Sequence, residues 1–232
     1  MEKISLLGRE NLTFIIAIQA EDSIVVSSDT RKFTLDNQHQ IQPNYADTIK
    51  KMEIWQSGVF ASNGIDLIGN QVFNQLCKEG DINRVQSWLV ATANDVAHRF
   101  SETDSVLSEQ IACTQIYCSY PTPQCPQLMS ISQSNDEAFK INSLGLMTYQ
   151  KDLSAILPLL QSLQQNIKAR YKFVDNKDWM GYYVECFQNI FYEMNKADDW
   201  VSQDFHVYFE DCTDRFFGYI PNRKDGQVVF NI

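Results

Sequence analysis

The residues of this chain best placed to do chemistry are Thr13, Asp29 and Arg31. They flank two apolar runs, Thr13–Ala20 and Ile24–Ser28, separated by the polar break Glu21-Asp22-Ser23, which suits a hairpin turn. Antiparallel pairing folds the second run back along the first, so the start of one and the end of the other lie close together. A hydroxyl then meets the acid and base of the Asp29-Thr30-Arg31 triplet. A threonine hydroxyl is a poor nucleophile until a base removes its proton, and nearby charges shift that balance.

Other chemistries find no support. The six cysteines (Cys77, Cys113, Cys118, Cys125, Cys186, Cys212) form no CxxC pair, and His39, His98 and His206 are far apart, so no zinc spacing appears. A Gly-rich phosphate loop, a GxSxG elbow and an HExxH helix are all missing. No metal or other cofactor is expected. A net charge of −10 argues against nucleic acid or an anionic membrane as partner, since both require clustered Lys and Arg. No apolar run approaches the roughly 20 residues that span a bilayer. The opening MEKISLLGRE lacks the apolar core of a signal peptide, so the chain is expected in the cytosol with its thiols reduced.

Thr13–Ile18 is apolar at every position after the threonine, where a half-solvated strand would alternate. Such a strand needs apolar cover on both faces, which places it in the middle of a layered domain. With 232 residues and 44% hydrophobic composition, one large domain is the simplest count. Lys32–Thr48 reads as a long polar loop, and Lys50–Trp55 with Gly58–Asn63 as a second hairpin. Amphipathic helices are expected over 65–79 and 82–100, with Gly80 as a stop signal and Asp81 as a restart. Gln110–Tyr120, Gln127–Ser132 and Ala138–Asn142 read as strands. Leu153, Ile156, Leu160, Leu163 and Ile167 form one helical stripe, in which Pro158 marks a kink or the true start. Trp179, Tyr183, Cys186, Phe187, Ile190 and Met194 form another, and strands return at Phe205–Phe209, Arg215–Ile220 and Gln227–Ile232. Helix pairs separated by sheets with doubly apolar strands imply an α+β fold of four layers, an αββα sandwich of two antiparallel sheets between helix pairs.

In this order of elements the chain resembles the proteasome β-type subunits, within the N-terminal-nucleophile hydrolases, from Leu12 to about Phe209. In that family a threonine begins the first strand and an acid in a D-[ST]-R-like triplet ends the second. Thr13 and Asp29 stand 16 residues apart (29 − 13), as the family pattern has it. Lys51, in Lys-Met-Glu-Ile, resembles the family's catalytic lysine, and Ser62-Asn63-Gly64 its glycine-containing turn after the fourth strand. Ser143, in Ile-Asn-Ser-Leu-Gly, falls where the family has a Gly-Ser-Gly turn before a helix, and Asp199 with Ser202 has its D-x-x-S spacing.

The resemblance implies the N-terminal-nucleophile hydrolase fold over 13–232, a leader over 1–12, and a threonine-type peptidase. Thr13 would attack with its own α-amine as base, and Lys51, kept charged by Asp29, would favour the neutral amine. Ser143, Asp199 and Ser202 would hold the amine by hydrogen bonds, while Asn63, Gly64 and Arg31 would face the substrate and its oxyanion. It further implies a peptide or unfolded-protein substrate, a homo-oligomeric ring with helices 65–79 and 82–100 at its contacts, and an ATPase unfoldase among the partners. Three features depart from the family pattern. Leu12 stands where processed members have glycine, and Gln203-Asp204 replaces the glycine pair after Ser202. The Asp29-to-Lys51 segment is also about six residues longer, an insertion that costs little in itself. Two alternatives stay open: a non-catalytic subunit that keeps its leader and acts in assembly, and an amidase of the same class acting on small amides.

Overall fold

The computed structural model describes residues 13–31, 50–100, 105–133, 138–148, 153–222 and 229–231. The expected leader and the polar loop over 32–48 lie outside these. β1 (Phe14–Gln19) and β2 (Ile24–Asp29) form the expected hairpin, with Ile15 opposite Ser28 and Gln19 opposite Ile24. β3 (Met52–Trp55) and β4 (Gly58–Ser62) form the second, followed by α1 (Asp66–Glu79) and α2 (Val85–Phe100). Gly80 ends α1 at φ 69°, the left-handed cap its sequence position implies. Then come α3 (Ser105–Ala112), β5 (Gln115–Pro121), β6 (Pro126–Ser132), β7 (Phe139–Lys140) and β8 (Leu144–Thr148). The chain closes with α4 (Leu157–Gln165), α5 (Asn176–Ala197), β9 (Phe205–Glu210), β10 (Arg215–Ile220) and β11 (Val229–Asn231). Pro158 sits in the first turn of α4, so it marks the helix start and not a kink.

The strands make two antiparallel sheets, one ordered β11-β10-β9-β2-β1-β8 and the other β3-β4-β5-β6-β7. β1 lies between β2 and the edge strand β8, covered on both faces, and its side chains divide by parity. Phe14, Ile16 and Ile18 pack with Trp179, Phe187 and Phe191 of α5. Ile15 and Ala17 face the second sheet, packing with Met52, Val59, Tyr117 and Leu128. On the outer face of that sheet, Phe60, Ile116 and Cys118 meet Ile68, Val72, Leu76 and Leu89 of α1 and α2. The layers are therefore helix, sheet, sheet, helix, which is why β1 is apolar on both sides. No helix among the described residues is long and apolar enough to cross a membrane.

Two expectations are corrected here. The run read as a strand from Gln110 begins as one only at Gln115, because Ser105–Ala112 is helical. Of the described side chains in this helix only Ile111 is buried, so the mixed apolar run gives no clear period to tell the helix from the strand that follows. Leu144–Thr148 is a strand and not the approach to a helix. It pairs with the free edge of β1, Phe14 opposite Thr148 and Ile18 opposite Leu144. Gly145 reads like a turn residue, yet it serves close packing, since a Cβ there would lie 3.0 Å from both the Ile141 Cδ1 and the Tyr117 hydroxyl.

Buried polar side chains tie the sheets together. The Gln19 amide, 8% exposed, donates to the Pro126 carbonyl at 3.0 Å and accepts from the Leu128 N–H at 2.8 Å. Ser119 of β5 donates to the buried Glu210 of β9 at 3.2 Å. Between the sheets, His206 stacks on Phe217 at 5.3 Å, and its Nδ1 has no hydrogen-bond partner among the described residues. Burial, reinforced by the charge of Lys50, pushes its pKa from 6.5 down to about 4.

Two tests follow from this packing. Ile16→Ala should cost about 2–5 kcal/mol in denaturant unfolding, the range for a fully buried aliphatic residue cut to alanine. Between pH 6.5 and about 4 the unfolded chain protonates position 206 while the folded chain does not, so stability falls as pH drops through that window. Relative to His206→Gln, the native protein should lose about 3 kcal/mol of stability on going from pH 7 to pH 4. Parallel pH curves for the two proteins would refute this.

Candidate active site

The site is built where β1 begins and β2 ends. Ile15 pairs with Ser28, which sets Phe14 against Asp29 and brings Thr13 to the same end. The Phe14 ring anchors this end: it lies edge-on to Phe191 at 5.3 Å, and Phe191 stacks on Phe205, the first residue of β9, at 4.7 Å. Phe205 in turn pairs with Asp29. Packing thus fixes the backbone on both sides of the carboxylate. Thr13 is itself buried, at 3% exposure.

Asp29 is fully buried and accepts four hydrogen bonds. The Phe14 N–H donates to Oδ1 at 2.8 Å and the Arg31 N–H to Oδ2 at 3.1 Å. Lys51 Nζ, arriving from the other sheet just before β3, bridges both oxygens at 2.9 and 2.8 Å. Burial pushes the Asp29 carboxyl up and the Lys51 ammonium down, and their mutual attraction opposes both shifts. An acceptor surrounded by four donors is a carboxylate, so the pair is ionic. Asp66, at the start of α1, supports the Lys51 charge, and Arg31 works against it. A lysine held this way carries a positive charge that loses its proton more readily than a free one.

Ser202 reaches the same end from the segment before β9. Its Oγ accepts from the Thr30 N–H at 2.8 Å and lies 3.0 Å from the Thr30 hydroxyl, while its own proton goes to the Asp204 carbonyl at 2.6 Å. Arg31, 7% exposed, donates through Nη1 to the Asp199 carbonyl. Asp199 therefore contributes its backbone here, and its side chain is exposed. The acid turned inward is Asp198, 8% exposed; burial raises its pKa, and it lies within electrostatic reach of Arg31 and Asp29. The helical period could have shown this, since Asp198 follows the buried Met194 by four residues. Thr30 and Asp204 were also missed, although Thr30 lies within the Asp29-Thr30-Arg31 triplet itself.

The Asn63-Gly64 turn lies beside Lys51 at the end of β4. Met52 pairs with Ala61, and the turn leads into α1. Asn63 is locked to β5: its N–H donates to the Gln115 carbonyl at 3.1 Å, and its Oδ1 accepts the Gln115 N–H at 2.7 Å. Gly64 adopts φ +80°, and a Cβ there would fall 2.5 Å from Thr114 Oγ1, so only glycine fits. Ser143 is not brought to this end. Its carbonyl accepts the Gln19 N–H at 2.7 Å, and it lines a cavity of about 600 Å³ with Glu21, Lys168 and Tyr171 at the opposite end of β1. The antiparallel register of β8 is the reason: its Thr13 end is Thr148, not Ser143.

No protein-family model matches the chain. No curated protein sequence matches it either. Solved structures do. The chain is similar to a Gly-1 mutant of Anbu from Hyphomicrobium sp. strain MC1, with a TM-score of 0.58 and 14% identity over 94% of this chain and 87% of that one. It is similar to Anbu, described as an ancestral beta-subunit, from Yersinia bercovieri, with a TM-score of 0.57 and 12% identity over 85% and 81%. A third likeness is to the Anbu complex of Pseudomonas aeruginosa, described as a helical assembly, with a TM-score of 0.56 and 14% identity over 93% and 86%. The shared property is the fold. These findings correct the resemblance to proteasome β-type subunits drawn from the sequence. The structural likeness runs to Anbu proteins, and at these identities it is a distant one.

Removing either member of the ion pair strands the other charge in the interior, which costs about 3–5 kcal/mol. Asp29→Ala also orphans the Phe14 and Arg31 N–H groups, so it should destabilise more than Lys51→Ala, by about 1–3 kcal/mol. Equal losses in denaturant unfolding would show that the backbone acceptor role of Asp29 carries no weight.

Proposed function

We propose that the chain is an N-terminal-nucleophile hydrolase subunit that cleaves peptide bonds with Thr13 after residues 1–12 are removed. One observation carries this reading: the chain of hydrogen bonds from the Phe14 N–H through Asp29 to Lys51, which sets a buried cation beside the residue preceding Phe14. In the first step Thr13 Oγ attacks the Leu12 carbonyl carbon. The C–N bond breaks as the ester forms, the hydroxyl proton passing to the freed α-amine, and water then hydrolyses the ester, releasing the leader as a carboxylic acid and restoring the Thr13 hydroxyl. That amine has an ordinary pKa of about 7.7–8.0, suited to taking the hydroxyl proton at neutral pH. The Lys51 charge disfavours protonation of the amine and favours the developing alkoxide. The alkoxide adds to the substrate carbonyl, the turn at Gly64 receives the oxyanion, and the amine passes its proton to the leaving nitrogen. Water completes the cycle by hydrolysing the acyl-enzyme.

A second reading, a non-catalytic subunit that keeps its leader, is favoured by two features. The Ser202 hydroxyl accepts the Thr30 N–H and lies 2.6 Å from the Asp204 carbonyl, so it serves the backbone as the structure stands. Leu12 in place of glycine favours the same reading. Assembly with like subunits fits either case, by analogy with the helical assembly of the Pseudomonas aeruginosa protein.

Intact mass of the purified protein tests the first reading. The expected mass is that of a chain beginning at Thr13; Thr13→Ala should stay full length and inactive on peptides, and Thr13→Ser should keep part of both activities. Lys51→Ala should lower turnover by about 10²–10⁴-fold. If the native chain is full length, Leu12→Gly decides the matter. Processing of that variant with gain of turnover would leave the site competent, whereas an intact, inert variant would make Thr13 a structural residue. Light scattering should give an oligomer, and a particle of monomer mass, at most the 26.8 kDa of the full-length chain, at all concentrations would exclude assembly.

A further inference from the structure

At the end of the sandwich remote from Asp29, two hairpin turns from different sheets face one another. The β5–β6 turn is closed by Thr122, whose N–H and hydroxyl both donate to the Cys125 carbonyl, at 3.2 and 2.7 Å, and whose Oγ1 accepts the Cys125 N–H at 3.2 Å. The β9–β10 turn is closed by Asp211. Its Oδ1 accepts the Thr213 and Asp214 N–H groups, each at 2.7 Å, and its own N–H donates to the Asp214 carbonyl at 3.0 Å. Each turn presents one cysteine. Cys212 Sγ lies 3.2 Å from the carbonyl oxygen of Gln124, the residue before Cys125. Both thiols line one cavity of about 470 Å³. Cys125 is half-buried and Cys212 exposed, so small reagents reach them.

We propose that Cys125 and Cys212 are a redox-modification site, a thiol pair that closes into a disulfide joining the two sheets when a low-molecular-weight disulfide is present. The Cys212 thiolate attacks one sulfur of the reagent and forms a mixed disulfide, releasing one reagent thiol. The Cys125 thiolate then attacks the Cys212 sulfur, closing the intramolecular bond and releasing the second thiol. Two electrons pass from the pair to the reagent, and the two cysteine protons end on the released thiols. Each thiol has its pKa raised, chiefly by burial: Cys125 also feels Cys212 and Asp22, and Cys212 feels Asp211 and Asp22. Closure is therefore slow at neutral pH and accelerates as the solution becomes alkaline. The bond would enclose 87 sequence steps (212 − 125), a span in which a crosslink removes much of the freedom of the unfolded chain.

The test is incubation of the full chain with oxidised glutathione at pH 8.5, then alkylation, digestion and mass spectrometry. The expected result is a loss of about 2 Da, with a peptide linking Cys125 to Cys212. The melting temperature should rise by about 10 °C, reversibly with dithiothreitol. Cys125→Ser and Cys212→Ser should each abolish the linked peptide and the thermal shift while melting like the reduced native protein. The proposal is overturned if both thiols alkylate after oxidation. It is equally overturned if Cys212 keeps a stable glutathione adduct beside a free Cys125, or if the link forms only between chains.

Discussion

A single buried carboxylate organises one end of this molecule. Asp29 gathers the first residue of β1, the residue two beyond itself and a lysine from the opposite sheet, and each contact satisfies a group that would otherwise be stranded in the interior. Desolvating a carboxylate and an ammonium costs several kcal/mol per ion, and only good geometry with further hydrogen bonds offsets that cost. The pair therefore makes sense only when both sheets are already in place. Its presence certifies that the hairpin, the second sheet and the segment leading into β3 have all docked.

The layer between the sheets follows the same logic along its length. Its middle is aliphatic and aromatic, built from Ile15, Ala17, Val26, Met52, Val59 and Tyr208. Its ends are polar, with Asp29 and Lys51 at one, and Gln19, Ser119 and Glu210 at the other. Apolar contact supplies cohesion without direction, and hydrogen bonds supply direction at a small net gain. Placing the directional contacts at the two rims leaves the nucleophile candidate beside one of them.

Much of this was legible in the sequence because it rests on local patterns. The doubly apolar β1, the stripe of α5 and the glycine cap of α1 each encode their surroundings in residue type and period. What stayed hidden depends on partners distant in sequence. β8 is short and carries a glycine that looks like a turn residue, because the reason for that glycine, the Tyr117 ring, is 28 residues away (145 − 117). Reading Ser143 as part of the site failed for the same cause: its position depends on which end of β8 meets Thr13, and register is set by pairing across strands. The choice of Asp199 over Asp198 followed a spacing rule. Burial follows the helical period instead, and it points to the neighbour.

Gln19 has a consequence at a distance. Two greasy sheet faces can slide past each other among several nearly equal alignments, but an amide that must meet Pro126 and Leu128 together fits only one. It works like the zero mark of a vernier. Set at the far end of β1, it fixes the offset of one sheet on the other, and five residue steps at 3.2–3.4 Å carry that setting about 17 Å along a stiff strand. The separation of Lys51 from Asp29 is therefore gauged at the opposite rim of the molecule, by a side chain that never touches either.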